Sequence, residues 1–112
     1  MLNIHIKNVD DLAIIECEGR IVRSDSAFKL RAAVTSQTDA RTILLDLSGV
    51  SAIAGGGLGM LMFLQRWAHD HAIRFKLFNP TRPVRDRLEL TSSVPDFEIV
   101  PPNESSAFLA GA

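Results

Sequence analysis

The chain has one cysteine, Cys17, so no internal disulfide can staple it. Cys17 stands in an alternating apolar stretch, the setting of a buried core thiol, and its use suits a reducing compartment. Runs of basic residues are also missing: the densest stretch, Arg82 to Arg87, is interrupted by Pro83 and Asp86. With a formal net charge of −1 at pH 7, the chain lacks the basic stripe that a sequence-independent nucleic-acid binder uses to displace counterions. Nor is there a long apolar run. The longest nearly uncharged stretch, Leu47 to Gln65, holds five glycines and two serines and stops at Arg66. That composition argues against direct membrane insertion. Met1-Leu-Asn-Ile-His5 lacks the basic-then-apolar layout of a signal peptide, and a cytoplasmic location is the expectation. No internal repeat or low-complexity tract occurs.

What is present fits one globular domain over residues 1–112, with ordinary apolar and charged fractions. Leu2–Lys7 alternates apolar and polar residues, as a half-buried strand does. Asn8–Asp11 supplies turn chemistry and Leu12–Glu18 a second strand, ended by Gly19. Ser24 reads as an N-cap with Asp25 in the first turn, opening a helix to about Thr38 with Ala27, Leu30 and Val34 on one stripe. Thr42–Leu47 has the branched apolar run of a strand covered on both faces. A glycine-rich segment, Ser48–Gly57, leads to a helix from about Leu58 to His71. Ala72–Phe78 alternates as another strand. Pro83 suits the first turn of a helix carrying Val84, Leu88 and Leu90. Val94-Pro-Asp96 separates it from a short strand, Phe97–Val100, and Asn103 can cap a last helix through Leu109. The order ββαβαβαβα implies an α/β fold, a mixed sheet of four to five strands packed with helices.

Three features carry chemistry-bearing residues. Gly55-Gly-Gly-Leu-Gly59 before a helix can cradle an anion on backbone N–H groups. It has neither the Lys-Ser/Thr of a P-loop nor dinucleotide-fingerprint spacing, and a tight strand-to-helix turn is the expected reading. His69-Asp70-His71 has metal-ligand types, but residues two apart on a helix point about 200° from one another, so no metal site is expected. No Ser/His/Asp or Cys/His set is suggested, and neither an enzymatic activity nor a cofactor is expected. On the central helix Gly57, Leu58, Leu61, Leu64 and Ala68 form a stripe sufficient to pack on a sheet. Met60, Phe63 and Trp67 form a second. This second stripe either buries against the next helix through Val84 and Leu88 or makes an exposed Met/aromatic interface.

Leu44-Leu-Asp-Leu-Ser-Gly-Val-Ser51 followed by Gly57-Leu-Gly59 resembles the STAS family. The family pattern there is an apolar strand ending Asp-Leu-Ser-x-Val, a loop Asp-Ser-Ser, then Gly-Leu-Gly opening a helix. Asp46, Leu47, Ser48, Val50, Gly57, Leu58 and Gly59 match in register. Asn79-Pro80, Pro83-Val-Arg85 and Leu88-Glu-Leu-Thr91 are similar to the family's segment after its fourth strand, and Gly19 falls where the family has a glycine. The element order agrees from end to end.

The resemblance implies a STAS-like single domain acting as a non-enzymatic, protein-binding regulatory module of the anti-sigma factor antagonist type. In that family the first serine of the loop is phosphorylated by an anti-sigma factor that is itself a serine kinase of the ATPase type, which switches partners in transcription regulation. A phosphate at a helix N-terminus is tolerated by the dipole while altering the docking surface. Here the loop reads Ala54-Gly55-Gly56, so Gly55 at the acceptor position cannot be phosphorylated. The family's acidic residues after the second strand are also replaced, Gly19 being followed by Arg20, Ile21 and Val22. The resemblance places partner binding at Arg20, Val22, Ser51, Ala54, Gly55, Gly56, Gly57 and Leu58, with Ser48 and Ser51 as the nearest alternative hydroxyls. It leaves a homodimer open. The alternatives are a soluble accessory subunit of a lipid or anion transport system, or a sensor of a small anion or nucleotide.

Overall fold

The computed structural model describes residues 1–90 and 97–102. A hairpin, β1 (Leu2–Val9) and β2 (Leu12–Ile21), is followed by α1 (Ser24–Thr35), β3 (Thr42–Ile53), α2 (Gly55–Asp70), β4 (Arg74–Phe78), α3 (Arg82–Glu89) and β5 (Glu98–Val100). The five strands form one mixed sheet in the order β1-β2-β3-β4-β5, antiparallel at β1–β2 and parallel elsewhere. The α/β architecture expected from the pattern is the one observed. A sheet whose parallel strands follow in chain order, joined by right-handed crossovers, carries its helices on one face.

The strand patterns explain the layers. In β2, Ala13, Ile15, Cys17 and Ile21 are buried in the main core with Leu30, Val34, Leu61, Leu64, Val84 and Leu88 from the three helices. Residues between them belong to the other face, where Leu12, Leu44 and Val100 make a smaller cluster with Ile14 and Phe78. Ile43 and Leu45 are buried in the main core, and Leu44 is buried in the smaller cluster on the other face.

Several element ends differ from the sequence reading. Gly19 does not end β2; the strand passes through it with φ +120, and a Cβ there would collide with the Met1 carbonyl. That carbonyl accepts the Arg20 N–H at 3.1 Å, so Gly19 is a close approach of two backbones. β3 runs on to Ile53 instead of stopping at Leu47. Its extension pairs with β2 through Gly19↔Val50, Arg20↔Ala52 and Ile21↔Ile53, with register shifts between Glu16 and Glu18 and between Gly19 and Arg20. The buried Val50 and Ile53 and the backbone ladder outweigh the low strand propensity of Ser48, Gly49 and Ser51. The three glycines Gly55, Gly56 and Gly57 are the first turn of α2, not a loop before it.

At α1 the N-cap is Arg23, and the capping side chain is Ser26. Its hydroxyl donates to the Arg23 carbonyl at 2.7 Å and accepts the Arg23 N–H at 3.2 Å. α1 stops at Thr35, with Ser36 as C-cap. β4 starts at Arg74 because the two residues before it close α2. Ile73 N–H donates to the Ala68 carbonyl at 2.8 Å and Ala72 N–H to His69 at 3.1 Å, with Ala72 left-handed at φ 56. Leu90 is 81% exposed and takes no part in the core. The expected separator Val94–Asp96 and the helix from Asn103 to Leu109 lie outside the described residues.

The second stripe of α2 is divided. Met60 and Trp67 are half-buried against the main core, while Phe63 remains 42% exposed beneath the Arg31 guanidinium, 5.0 Å from its ring centroid. Its neighbour is therefore α1. Val84 and Leu88 of α3 serve the core over β3 instead.

Leu45 and Leu61, both fully buried, should each cost about 2–5 kcal/mol when changed to Ala, read by denaturant unfolding. Gly57→Ala should also destabilise, by about 1–3 kcal/mol. The added Cβ would lie 2.6 Å from the Ile21 carbonyl oxygen and 2.8 Å from side-chain carbons of Ile21 and Ile53. Gly56→Ala, whose Cβ meets nothing within 4 Å, should instead gain about 0.5 kcal/mol of helix propensity. The same unfolding measurement gives opposite signs for adjacent glycines.

Candidate functional site

β2, β3 and β4 are parallel, so their carboxyl ends and the helix starts after them share one edge of the sheet. In open α/β sheets this is the edge where binding sites gather. Its centre is the junction of β3 with α2. The Ala54 N–H donates to the Ile21 carbonyl at 3.1 Å, and the Ala54 carbonyl accepts the Leu58 N–H at 2.9 Å, which starts the helix. An alanine N-cap has no oxygen to offer the N–H groups that follow, and no acid stands in the first turn. The surface there is bare backbone: Gly55 and Gly56 are exposed, and a Cβ on either would meet open space.

The residues singled out in the sequence converge on this junction, with different exposures. Arg20 is exposed and paired with Ala52; Val22, Ala54 and Leu58 are half-buried. Gly57 is buried and serves packing, so it offers no docking surface. Ser51 is exposed within β3, where its hydroxyl donates to the Gly19 carbonyl at 3.3 Å. Met60, Phe63 and Trp67 lie further along α2, away from the junction, and Trp67 stacks on His71 with ring centroids 4.5 Å apart.

Ser48 stands apart. Its hydroxyl and N–H both donate to Asp46 Oδ1, at 2.6 and 2.9 Å, in a groove of about 460 Å³ that Glu16 and Glu18 also line. A phosphate on Ser48 would meet carboxylates there. Cys17 lines the same groove from within the sheet. Burial, with a smaller contribution from the Asp46 charge, pushes its thiol up to about 12. His71 Nδ1 donates to the Trp67 carbonyl at 2.8 Å, and Asp70 pairs with Arg66 at 3.6 Å. Among the described residues no group of three His, Cys, Asp or Glu is placed to hold a metal ion. None of the described helices is long and apolar enough to cross a membrane.

Sequence reasoning missed the neighbour on the far side of β3. Thr81 Oγ1 donates to the Val50 carbonyl at 2.6 Å, anchoring the start of α3 beside the β3 tip. This brings Arg82 and Arg85, which line a groove of about 390 Å³, to the same edge. Asn79-Pro80 after a strand was the available signal, but only the topology shows which edge it reaches.

The STAS domain family model matches residues 3–107. No curated protein sequence matches the chain. Among solved structures, an anti-sigma factor antagonist from Mycobacterium paratuberculosis superimposes with a TM-score of 0.81 at 19% identity, covering 98% of this chain and 93% of that one. The anti-sigma factor antagonist SpoIIAA in its unphosphorylated form gives 0.78 at 18% identity, covering 98% of both chains. The murine anion transporter Slc26a9 gives 0.77 at 17% identity, over 95% of this chain but 19% of that one. The fold is thus that of the antagonists, and with the family model spanning nearly the whole length, the chain belongs to the STAS domain family.

Proposed function

We propose that the protein is a non-enzymatic regulatory module that docks a protein partner at the β3–α2 junction and is not switched by phosphorylation there. The observation that carries this reading is the start of α2. Where the family resemblance expects a phosphoacceptor serine, Gly55 is exposed, has open space around it and carries no hydroxyl. A helix that begins on bare backbone lets another chain approach closely. With no acceptor at its centre, such a surface is competent to bind at all times, and control passes to protein abundance or to the partner's own state. Support for a protein partner comes from the antagonist fold and from this uncapped edge. An anti-sigma factor of the kinase type, in a cytoplasmic transcription-control circuit, is the partner that fits best.

A second reading follows from the likeness to part of Slc26a9: a soluble accessory subunit of a lipid or anion transport system. The two are separated by what the tagged full chain captures, a kinase-like ATPase or a transporter component. In either case Gly56→Arg should reduce capture of that protein at least about tenfold, since a long charged side chain would block close backbone approach. The fold should remain, because the Gly56 Cβ position is open. Undiminished capture by a natively folded Gly56→Arg variant would put the interface elsewhere.

The absence of a switch is tested with the captured kinase and ATP, followed by intact-mass measurement. Wild type should stay unmodified, whereas the double variant Ala54→Asp, Gly55→Ser should gain one phosphate. A stoichiometric adduct on wild type mapping to Ser51 would show that the switch has moved and overturn the reading.

A further inference from the structure

At the end of the sheet opposite the β3–α2 junction, Asp10, Asp11 and Asp39 line one pocket, where Arg41 pairs with Asp11 at 3.6 Å. On the face away from α1, α2 and α3, Glu16, Glu18 and Asp46 line the groove beside Cys17, and Lys7 pairs with Glu16 at 3.6 Å. The arginines at the junction edge differ. Arg20 sits on one side of the β3 tip, opposite Ala52. On the other side the Thr81–Val50 hydrogen bond holds Arg82 next to the same tip, and Arg85 follows on the same groove. All three arginines are exposed and none has an ion partner among the described residues. Asp25, in the first turn of α1, is paired with Arg23 at 4.0 Å, and Asp86 lines the same groove as Arg82 and Arg85 without an ion pair to either. A chain of net charge −1 thus brings three exposed guanidinium groups to the sheet edge that carries the start of α2.

We infer that the partner docking at this junction presents an acidic protein surface, bound through Arg20, Arg82 and Arg85; the inference rests on the junction being the interface. Exposed guanidinium groups cost little to desolvate and offer paired donors in a fork that matches carboxylates. Complementary charge around a contact of small residues supplies orientation and association rate, where shape alone would slide. Nucleic acid is the competing anion. Three arginines, two of them sharing a groove with Asp86, neutralise few phosphates, and the acids elsewhere on the chain repel the rest of a polyanion.

The test is an NMR titration of the 15N-labelled full chain with three blocked probes: hexaglutamate, hexalysine and a uridine hexanucleotide. Hexaglutamate should shift the amides of Arg20, Ala52, Arg82 and Arg85, with affinity falling about tenfold between roughly 20 and 300 mM salt. The exposed triple variant Arg20→Glu, Arg82→Glu, Arg85→Glu should lose that response and gain one to hexalysine; the triple Gln variant should respond to neither. A hexalysine response from wild type, tighter binding of the hexanucleotide, or silence of all four amides would overturn the inference. A captured partner lost to Gly56→Arg but kept by the triple Glu variant would also overturn it while leaving the junction as the interface. A partner indifferent to both would overturn the two together.

Discussion

The carbonyl of Ile21 is the point on which the architecture turns. It accepts the Ala54 N–H, which closes the last rung between β2 and β3, and it lies 2.6 Å from where a side chain on Gly57 would begin. Strand end and helix start are therefore packed backbone to backbone, and only a residue without a Cβ fits. Everything at the candidate site inherits its position from that contact. α2 leaves the sheet one residue after the β3 ladder ends, so Gly55 and Gly56 are held at the surface by a short, buried anchor and not by a mobile loop. The hydrogen bond from Thr81 to Val50 does the same for α3 on the other side.

The fold was largely legible because its signals are periodic. Ala27, Leu30 and Val34 announce the buried face of α1, and Ile43–Leu45 announces a strand with buried residues on both faces. The element ends were less legible, for a physical reason common to all of them. Gly19, Ser48, Gly49 and Gly55–Gly57 are residues that interrupt regular structure when judged by propensity. Here long-range backbone pairing sets the conformation of Gly19 and Gly49, and close packing fixes Gly57, which carries Gly55 and Gly56 into the first turn of α2. A glycine that ends a strand and a glycine that lets another backbone pass beside a continuing strand look alike in a sequence. The candidate edge was half visible: the resemblance pointed to Arg20 and to Ala54–Leu58, but not to Arg82 and Arg85. No local pattern records that the start of α3 reaches β3 through Thr81.

The junction also separates two roles that a residue at a helix start can combine. A serine hydroxyl at a helix start does two things, since it caps free N–H groups and can accept a phosphate. Glycine does neither, so the first turn of α2 relies on its packing anchor for stability. The resulting surface is uncapped, with Gly55 and Gly56 exposed. On the proposed reading, recognition there depends on approach distance and on charge, two properties that do not change from moment to moment.

The buried thiol of Cys17 has a further consequence. With its proton held to about pH 12, only about one molecule in ten thousand carries the thiolate at pH 8. The thiolate is the form that attacks disulfides and is oxidised by peroxide. As the chain has no other cysteine, it offers little hold to glutathione or disulfide exchange. Oxidants that bypass thiols would meet the exposed Met1 and Met62 instead.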